Sequence, residues 1–184
     1  MDKIPPRVTK TAYDLKGDKE LIEFLNKEKS NKIICEVGCL LGELTLEFAK
    51  IAEEVHAIDS FESEYDVTDP FSFYDMDLVA NEFYNNIEDS KYNEKIYVYE
   101  DYSSKVVNNF EGAFFDYVHI DANHQYDFVL EDIILWSPKI KPTGYIGGSK
   151  YDDKKYNGIF KAVNEVFGSD KVKLFSNNNW IVKI

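Results

Sequence analysis

The sequence predicts an α/β fold in which a doubly wound, mostly parallel seven-stranded sheet carries an antiparallel strand near its end. Three observations support this prediction. Apolar periodicity alternates between strand and helix along almost all of the 184 residues, without an internal repeat. Residues 114–120 are almost continuously apolar, as expected of a central parallel strand. The final two strand-like segments flank residues 176–179, whose serine and asparagines are typical of a hairpin turn.

The first element is predicted to be an amphipathic helix over residues 18–29. Asp18 is the predicted N-cap, because a carboxylate there can accept from the unpaired N–H groups of the first turn. Leu21, Ile22 and Leu25 recur at the spacing that places apolar side chains on one buried face.

The later elements alternate, because short runs rich in β-branched and aromatic residues are separated by segments with helical periodicity. Strands are predicted at Lys32–Val37, 54–59, 95–99, 114–120, 145–147, 171–175 and 180–184. Helices are predicted at 43–53, 75–87, 103–109, Tyr126–Trp136 and 158–167, with Ser103 or Ser104 capping the third of these.

We expect a single domain over residues 1–184, with an N-terminal arm at 1–17. Segments 60–74 and 149–157 fall outside the alternation of strand and helix. Both follow the predicted carboxyl ends of strands, which is where open α/β sheets bind ligands. The first segment is also rich in aromatic residues. We interpret both as substrate loops, and a mobile surface loop is the alternative.

The most informative motif lies between the first strand and the following helix. Glu36 lies at the end of an apolar strand, and Gly38 and Gly42 follow at a spacing of four residues before a helical pattern begins. Glycines there let the backbone approach a ligand closely. The next strand ends in Asp59, whose carboxylate can accept hydrogen bonds from both hydroxyls of a ribose. The arrangement indicates a nucleoside site.

The motif differs from the dinucleotide fingerprint at one informative position. Glu36 stands where that fingerprint has its first glycine. A carboxylate at this position would repel a pyrophosphate, but it suits a ligand with a cationic amino-acid end.

A second informative stretch follows the fourth predicted strand. The strand delivers Asp121 to the carboxyl edge of the sheet, and His124 follows one turn later. A carboxylate and an imidazole at this edge can act as a general base pair beside a ligand held at Gly38.

These two stretches resemble the class I S-adenosylmethionine-dependent methyltransferases. Their first motif, acidic-x-Gly-x-x-x-Gly, is matched by Glu36, Gly38 and Gly42. Residues 120–126 are similar to the motif Ile-Asp-Gly-x-His-x-Tyr of a small bacterial and phage group of these enzymes. The resemblance extends from about residue 33 to residue 167. It implies a Rossmann-like sheet whose last strand is antiparallel, and S-adenosylmethionine as the cofactor.

The resemblance also implies roles for individual residues. Glu36 and the backbone around Gly38 would hold the methionine end of the cofactor, Asp59 the ribose and Asp101 the adenine. The complete set implied for cofactor binding is Glu36, Gly38, Cys39, Gly42, Thr45, Asp59, Ser60, Asp101 and Asp121. Asp121 and His124 are the implied catalytic residues, with His124 as the base.

Three positions depart from the pattern of the group. Ala122 replaces a glycine, which is tolerable if the backbone there does not adopt positive φ. Thr143 replaces the first glycine of a Pro-Gly-Gly turn. Ser149 and Lys150 replace His-Asp. Acidic residues there and at the Asp121 position can hold a divalent cation in related enzymes. The ammonium of Lys150 would repel that cation, so we predict that the protein uses no metal.

Composition limits the classes of partner. The formal net charge of −13 argues against nucleic acid and anionic membranes, and no apolar stretch is long enough to span a bilayer. The N-terminus lacks the apolar core of a signal peptide. Cys35 and Cys39 are expected to be free, with Cys35 buried in the first strand, which favours a cytoplasmic location. The expected partner is a small-molecule acceptor, and a homodimer is compatible with the sequence.

The sequence therefore predicts an S-adenosylmethionine-dependent methyltransferase that O-methylates a small hydroxylated molecule, such as a sugar or a secondary metabolite. Two alternatives stay open. One is a non-catalytic relative that binds S-adenosylmethionine or S-adenosylhomocysteine. The other is a nicotinamide-dependent oxidoreductase, against which Glu36 and the lack of a substrate domain both argue.

Overall fold

The computed structural model describes residues 12–28, 32–63, 66, 69–152 and 154–184. The α-helices are α1 (Ala12–Glu28), α2 (Glu43–Ile51), α3 (Met76–Glu88), α4 (Ser103–Val106), α5 (Tyr126–Trp136) and α6 (Asn157–Phe167). The strands are β1 (Lys32–Val37), β2 (Ala52–Asp59), β3 (Ile96–Glu100), β4 (Phe115–Ile120), β5 (Ile140–Gly148), β6 (Lys173–Leu174) and β7 (Trp180–Lys183). No helix of this described part is long and apolar enough to cross a membrane.

The seven strands form one sheet in the order β3-β2-β1-β4-β5-β7-β6. The pairs among β1 to β5 are parallel, whereas β7 runs antiparallel to both β5 and β6. This confirms the predicted fold. The chain order reverses between β1 and β4, where Val37 lies opposite Ile120. A crevice opens at such a reversal, beyond the carboxyl ends of the two strands.

The sheet is covered on both faces, as its doubly wound topology requires. Alternate residues of β1 serve opposite faces, because side chains of a strand point to alternate sides. Ile34 packs with Leu21, Phe48 and other buried residues of α1, α2 and α3. Cys35 packs on the other face, in the cluster that contains Trp136 and the buried residues of α4, α5 and α6. The predicted burial of Cys35 is confirmed.

The start of the first helix differs from the prediction. α1 already begins at Ala12, so residues 12–17 of the predicted arm are helical, and residues 1–11 and Lys29 lie outside the described residues. Asp18 is therefore not an N-cap. Its Oδ1 accepts a hydrogen bond of 3.1 Å from Asn179 Nδ2, a partner that local sequence rules cannot identify.

The predicted serine cap of α4 is also wrong. The N-cap position is Tyr102, and no side chain caps the helix. Ser103 instead donates from Oγ to Asp132 Oδ1 on α5, at 2.5 Å. The hydroxyl thus links two helices rather than satisfying the N–H groups of its own first turn.

The departures at Ala122 and Thr143 have different consequences. Ala122 does not adopt positive φ, so the loss of a glycine there is tolerated, as predicted. Thr143 has φ of 75°, in the left-handed region that disfavours a β-branched side chain. It lies where the register between β4 and β5 shifts. The chain therefore carries local strain at an irregularity within β5, where glycine would be unstrained.

We expect Thr143→Gly to stabilise the fold. Relief of the left-handed strain is worth roughly 1–2 kcal/mol, and the added flexibility of unfolded glycine offsets about 0.5–1 kcal/mol. Chemical denaturation should therefore show a net gain of about 0.5–1 kcal/mol in the free energy of unfolding. Thr143→Ala is the matched control, because it keeps the Cβ atom and should give no comparable gain. Equal stability of the glycine and alanine variants would contradict the assignment of strain.

Candidate active site

A cleft of about 870 Å³ opens at the carboxyl ends of β1, β2, β4 and β5. This volume lies within the usual range for small-molecule sites, about 300–1,000 Å³. Seven of the predicted site residues line it: Glu36, Gly38, Cys39, Asp59, Ser60, Asp101 and Asp121. The other three predicted residues, Gly42, Thr45 and His124, lie behind its wall. The predicted loops at 60–74 and 149–157 both contribute lining residues.

Gly38 turns the chain out of β1 in a left-handed conformation, with φ of 88°. Its amide donates to Ile58 O at 2.8 Å, and the neighbouring Asp121 amide donates to Val37 O at 2.8 Å. A Cβ atom at residue 38 would lie 2.5 Å from Asp121 O and 2.7 Å from Ala122 N. From the sequence, close approach of a ligand is the predicted reason for this glycine. The protein's own β4–α5 connection already requires it.

Packing within the protein also explains why residue 42 is a glycine. It also adopts positive φ, 77°, at the N-cap of α2. A Cβ atom there would lie 3.0 Å from the ring of Phe83 on α3. Gly42 therefore lets α2 begin close to α3, behind the wall of the cleft.

Glu36 forms the floor of the cleft beneath this glycine loop. Its side chain is buried, and it accepts a hydrogen bond from Thr45 Oγ1 on α2. Thr45 thus supports Glu36 from behind. Cys39 is buried beside them, and burial raises the pKa of its thiol well above the ordinary value. A neutral thiol at this place is a packing group, not a nucleophile.

Asp59 ties the ends of β1 and β2 together. Its Oδ2 accepts from the amide of Leu40, and its Oδ1 accepts from the amide of Phe61, both at 2.9 Å. Burial raises the pKa of Asp59, and these backbone donors oppose that shift. Each carboxylate oxygen can accept a further hydrogen bond from a ligand.

The end of β3 closes one side of the cleft. Asp101 Oδ1 accepts from Lys105 Nζ at 2.8 Å, which lowers the pKa of Asp101. Tyr102 donates from its hydroxyl to Glu62, which follows Ser60 in the loop after β2. This hydrogen bond joins the loops after β2 and β3. The sequence analysis did not foresee it, because several aromatics and acids in these loops are equivalent by pattern.

Asp132 is a further cleft residue that the sequence pattern assigned no role. It lies on the inner face of α5, and burial raises its pKa to about 6, although the hydroxyl of Ser103 opposes that shift. The periodicity of α5 places it among apolar residues, and that is the signal that could have singled it out.

Asp121, His124 and Lys150 form a connected cluster on the β4 and β5 side of the cleft. Lys150 Nζ lies 2.7 Å from Asp121 Oδ1 and 2.9 Å from His124 Nε2. His124 Nε2 also lies 3.4 Å from Asp121 Oδ1. Burial opposes ionisation of Asp121, but the effects led by the ammonium of Lys150 outweigh it and hold its pKa well below the usual range. The predicted juxtaposition of Asp121 and His124 is present, and Lys150 joins it.

The other side of His124 faces the loop after β2. Asp66 Oδ2 accepts from the His124 backbone amide at 3.1 Å and lies 3.3 Å from Nδ1. Asp69 Oδ2 lies 3.5 Å from the same nitrogen. Ser72 donates from Oγ to the backbone oxygens of both aspartates. No sequence pattern identified Asp66 or Asp69, because they stand among several acidic residues in an irregular segment.

Comparison with known proteins places this site in a family. Residues 35–149, more than half of the chain, match the family model described as "Methyltransferase domain". The chain therefore belongs to the methyltransferase-domain family. It is an S-adenosylmethionine-dependent methyltransferase of class I, with S-adenosylmethionine as its cofactor. This decides between the alternatives that the sequence left open. No curated protein matches the sequence.

Solved structures agree with this fold. The O-methyltransferase NovP superposes with a TM-score of 0.67 at 12% identity, covering 92% of this chain and 78% of that one. CalS11, a TDP-rhamnose 3′-O-methyltransferase of calicheamicin biosynthesis, gives 0.61 at 12% identity, with the same coverage of 92% and 78%. SMU.1697c from Streptococcus mutans, solved with S-adenosylhomocysteine, gives 0.62 at 12% identity and coverage of 91% and 98%. At these identities the similarity concerns the fold.

The residues of the cleft fit this cofactor chemically. S-adenosylmethionine carries a sulfonium and an ammonium, and Glu36, Asp59 and Asp121 place carboxylates along the cleft. Glu36 is almost fully buried at the floor of the cleft. Its carboxylate would attract a cationic group of the cofactor bound beside it. A pyrophosphate would meet the same carboxylate unfavourably.

Proposed function

We propose that this methyltransferase transfers its methyl group to a hydroxyl oxygen of a small molecule, such as a sugar or a secondary metabolite. The observation that carries the proposal is the cluster of Asp121, His124 and Lys150 beside the Gly38 loop. A proton-accepting group next to the methionine end of the cofactor suits a hydroxyl acceptor. The names of NovP and CalS11 identify them as O-methyltransferases, and CalS11 as acting on a nucleotide-linked sugar, which supports the same class of acceptor here.

For the cofactor, we propose that Glu36 and the backbone at Gly38 and Cys39 hold the methionine end. Asp59 and Ser60 would hold the ribose. Asp101 would accept from the adenine amine, after its ion pair with Lys105 loosens. Gly42 and Thr45 would act from behind, by setting the position of α2 and of the Glu36 carboxylate.

When bound, the cofactor supplies an activated methyl group on a sulfonium. The protein then needs mainly to align the acceptor oxygen with that methyl group and to remove a proton. We propose that Asp121 orients the cationic groups around it, and that the Lys150–His124 pair takes up the hydroxyl proton, with His124 as the base that accepts a proton at Nε2. Carboxylate oxygens of Asp66 and Asp69 lie 3.3 and 3.5 Å from Nδ1 of the same ring. The loops at 60–74 and 149–157 would form the walls around the acceptor.

We further propose that the reaction needs no divalent cation. Within the described ranges, no group of three His, Cys, Asp or Glu residues is arranged to hold a metal ion. Charge also opposes a metal here, because Lys150 Nζ lies 2.7 Å from Asp121 Oδ1, where its ammonium would repel a second cation. A homodimer and the lack of nucleic-acid partners stay predictions, the latter based on the net charge of −13.

The proposed function is tested with labelled S-adenosylmethionine and a panel of nucleotide sugars, free sugars, catechols and hydroxycinnamates. We expect methylation of an oxygen in at least one class, identified by mass spectrometry, and we expect EDTA to leave the rate unchanged. Transfer only to nitrogen or carbon, or to no member of the panel, would count against O-methylation. Loss of activity in EDTA that Mg²⁺ restores would count against the metal-free proposal.

Asp59→Ala is expected to weaken S-adenosylhomocysteine binding by about 1–3 kcal/mol, the usual effect of removing a charged hydrogen-bond partner. The substitution would remove the proposed acceptor of the ribose hydroxyls. It would also release the amides of Leu40 and Phe61, which the same carboxylate holds. Calorimetric titration measures the effect. Asp170→Ala is the control, since it removes an exposed carboxylate outside the cleft lining. Unchanged affinity of the Asp59→Ala protein would refute the ribose assignment.

A further inference from the structure

Lys150 lies between His124 and the cleft. The side chain of His124 is only 3% exposed, and it does not line the cleft. The side chain of Lys150 is 30% exposed and lines it. The two are joined by the 2.9 Å contact between Nζ and Nε2. A hydroxyl in the cleft therefore meets Lys150 before it meets His124.

This contact fixes the protonation of the histidine ring. An ammonium can only donate hydrogen bonds, so Nε2 must accept and carries no proton. The proton of the neutral ring then resides on Nδ1, which faces the carboxylates of Asp66 and Asp69 at 3.3 and 3.5 Å. His124 thus has its basic nitrogen directed at Lys150, and its Nδ1 is buried near two acids without a hydrogen bond to either.

Lys150 is held in this position at some cost. Its φ of 59° lies in the left-handed region, which is unfavourable for a lysine. Burial favours the neutral amine, but Asp121 outweighs that effect and raises the pKa of Lys150. The resting side chain is therefore an ammonium, with one N–H directed at Asp121 and one at His124. Strain of this kind is typical of residues kept for function.

We propose that Lys150 is a catalytic residue, which gives a proton to His124 and then, as the free amine, removes the proton of the acceptor hydroxyl. This inference rests on the proposed O-methyl transfer. It assigns the contact with the acceptor to Lys150 and the storage of the proton to His124.

One Nζ–H bond breaks and an Nε2–H bond forms, which leaves an amine at Lys150 and an imidazolium at His124. Rotation about Cε–Nζ turns the lone pair toward the hydroxyl. The O–H bond then breaks as an Nζ–H bond forms. The oxygen electron pair makes the new bond to the methyl carbon, and the pair of the broken C–S bond stays on sulfur. Lys150 ends as an ammonium, and His124 releases its extra proton to water.

Electrostatics lowers the cost of the first step. Lysine is ordinarily a stronger base than histidine, so proton transfer to His124 is uphill. Carboxylate oxygens of Asp66 and Asp69 lie 3.3 and 3.5 Å from Nδ1, so opposite charge is placed beside the imidazolium that this step forms. The amine so formed is a strong base placed at the cleft.

The test compares Lys150→Met, which removes the proton carrier, with Lys150→Arg, which keeps the positive charge but cannot lose a proton in a protein. Single-turnover rates are measured with the panel acceptor that the wild type methylates fastest. We expect both variants to lose roughly 10²–10⁴ in rate, the usual effect of removing a positioned base. Lys161→Met, on the exposed face of α6, is the control and should retain the wild-type rate. A Lys150→Arg rate within about tenfold of the wild type would overturn the relay, since charge alone would then suffice.

A second measurement needs no acceptor. The chain has three histidines, so ¹⁵N-histidine spectra can be assigned with His124→Gln alone as the reference for His124. We expect His124 to be the Nδ1–H tautomer with an unprotonated Nε2. A proton on Nε2 in the resting protein would overturn the relay. If no panel member is methylated, the proposed function fails and the relay fails with it, whereas a proton on Nε2 in a protein that does methylate overturns the relay alone.

Discussion

Replacement of His124 by alanine is expected to lower methyl-transfer turnover by roughly 10²–10⁴, the range typical of a positioned general base. We propose that the ring receives a proton at Nε2, which lies 2.9 Å from Lys150 Nζ, while Nδ1 lies 3.3 Å from Asp66 Oδ2 and 3.5 Å from Asp69 Oδ2. Affinity for S-adenosylhomocysteine should change little, since His124 does not line the cleft. Steady-state kinetics and calorimetry together measure both effects.

His124→Gln is the matched variant. His124 also supports the loop after β2, so alanine could disturb Asp66 and the cleft wall as well as the chemistry. Glutamine keeps polar contacts in both directions but is not a base near neutral pH. We expect it to bind S-adenosylhomocysteine like the wild type and to be almost as slow as the alanine variant. A His124→Gln enzyme with the wild-type rate would rule out proton transfer to this residue.

Gly38→Val is expected to abolish cofactor binding. The valine would adopt a φ of 88°, and its Cβ atom would lie 2.5 Å from Asp121 O. The substitution must therefore shift the β4–α5 connection, which carries Asp121 and His124, the proposed catalytic residues. Left-handed strain alone costs roughly 1–2 kcal/mol, and the backbone contact adds to it. We expect a lower melting temperature as well as loss of S-adenosylhomocysteine binding by calorimetry.

Gly112→Val is the control for this variant. A Cβ atom at Gly112 would meet only Pro138 O, at an ordinary 3.5 Å, and φ there is not in the left-handed region. Binding should persist in that protein. Retained binding in Gly38→Val would show that the cofactor lies away from the β1–β4 crevice. A Gly38→Val protein that melts like the wild type but no longer binds would instead show that contact with the ligand excludes the side chain.

The parts of the site that lie on regular elements were predictable from sequence. Apolar runs fix the positions of β1 and β4, and their parallel pairing brings Gly38 and Asp121 together without further information. Asp59 follows in the same way from the end of β2. These positions depend on periodicity and topology, both of which the sequence encodes locally.

The parts that depend on loop contacts were not predictable. Asp18 was misassigned as a cap because its partner, Asn179, lies 161 positions away in the chain. Asp66 contacts His124 across 58 positions, from a segment with several equivalent acids. Lys150 was foreseen as an obstacle to a metal, but its contact with His124 depends on a left-handed backbone that no pattern for lysine indicates.

Gly38 shows a further limit of prediction from the sequence. The sequence correctly marks a position where a side chain is excluded, but it does not tell which neighbour excludes it. Close approach of a ligand and close approach of the β4–α5 connection would each require glycine at residue 38. Only the tertiary structure separates the two explanations, and they differ in what happens to the stability of a variant.

Calorimetric titration of the wild-type protein with S-adenosylhomocysteine, S-adenosylmethionine and NAD tests the central claim most directly. The claim is that the cleft above Glu36, with Asp59 at its β2 side, binds an adenosyl amino acid. We predict saturable binding of both adenosyl amino acids and no measurable heat with NAD. Binding of NAD with equal affinity, or no binding of S-adenosylhomocysteine, would contradict the account.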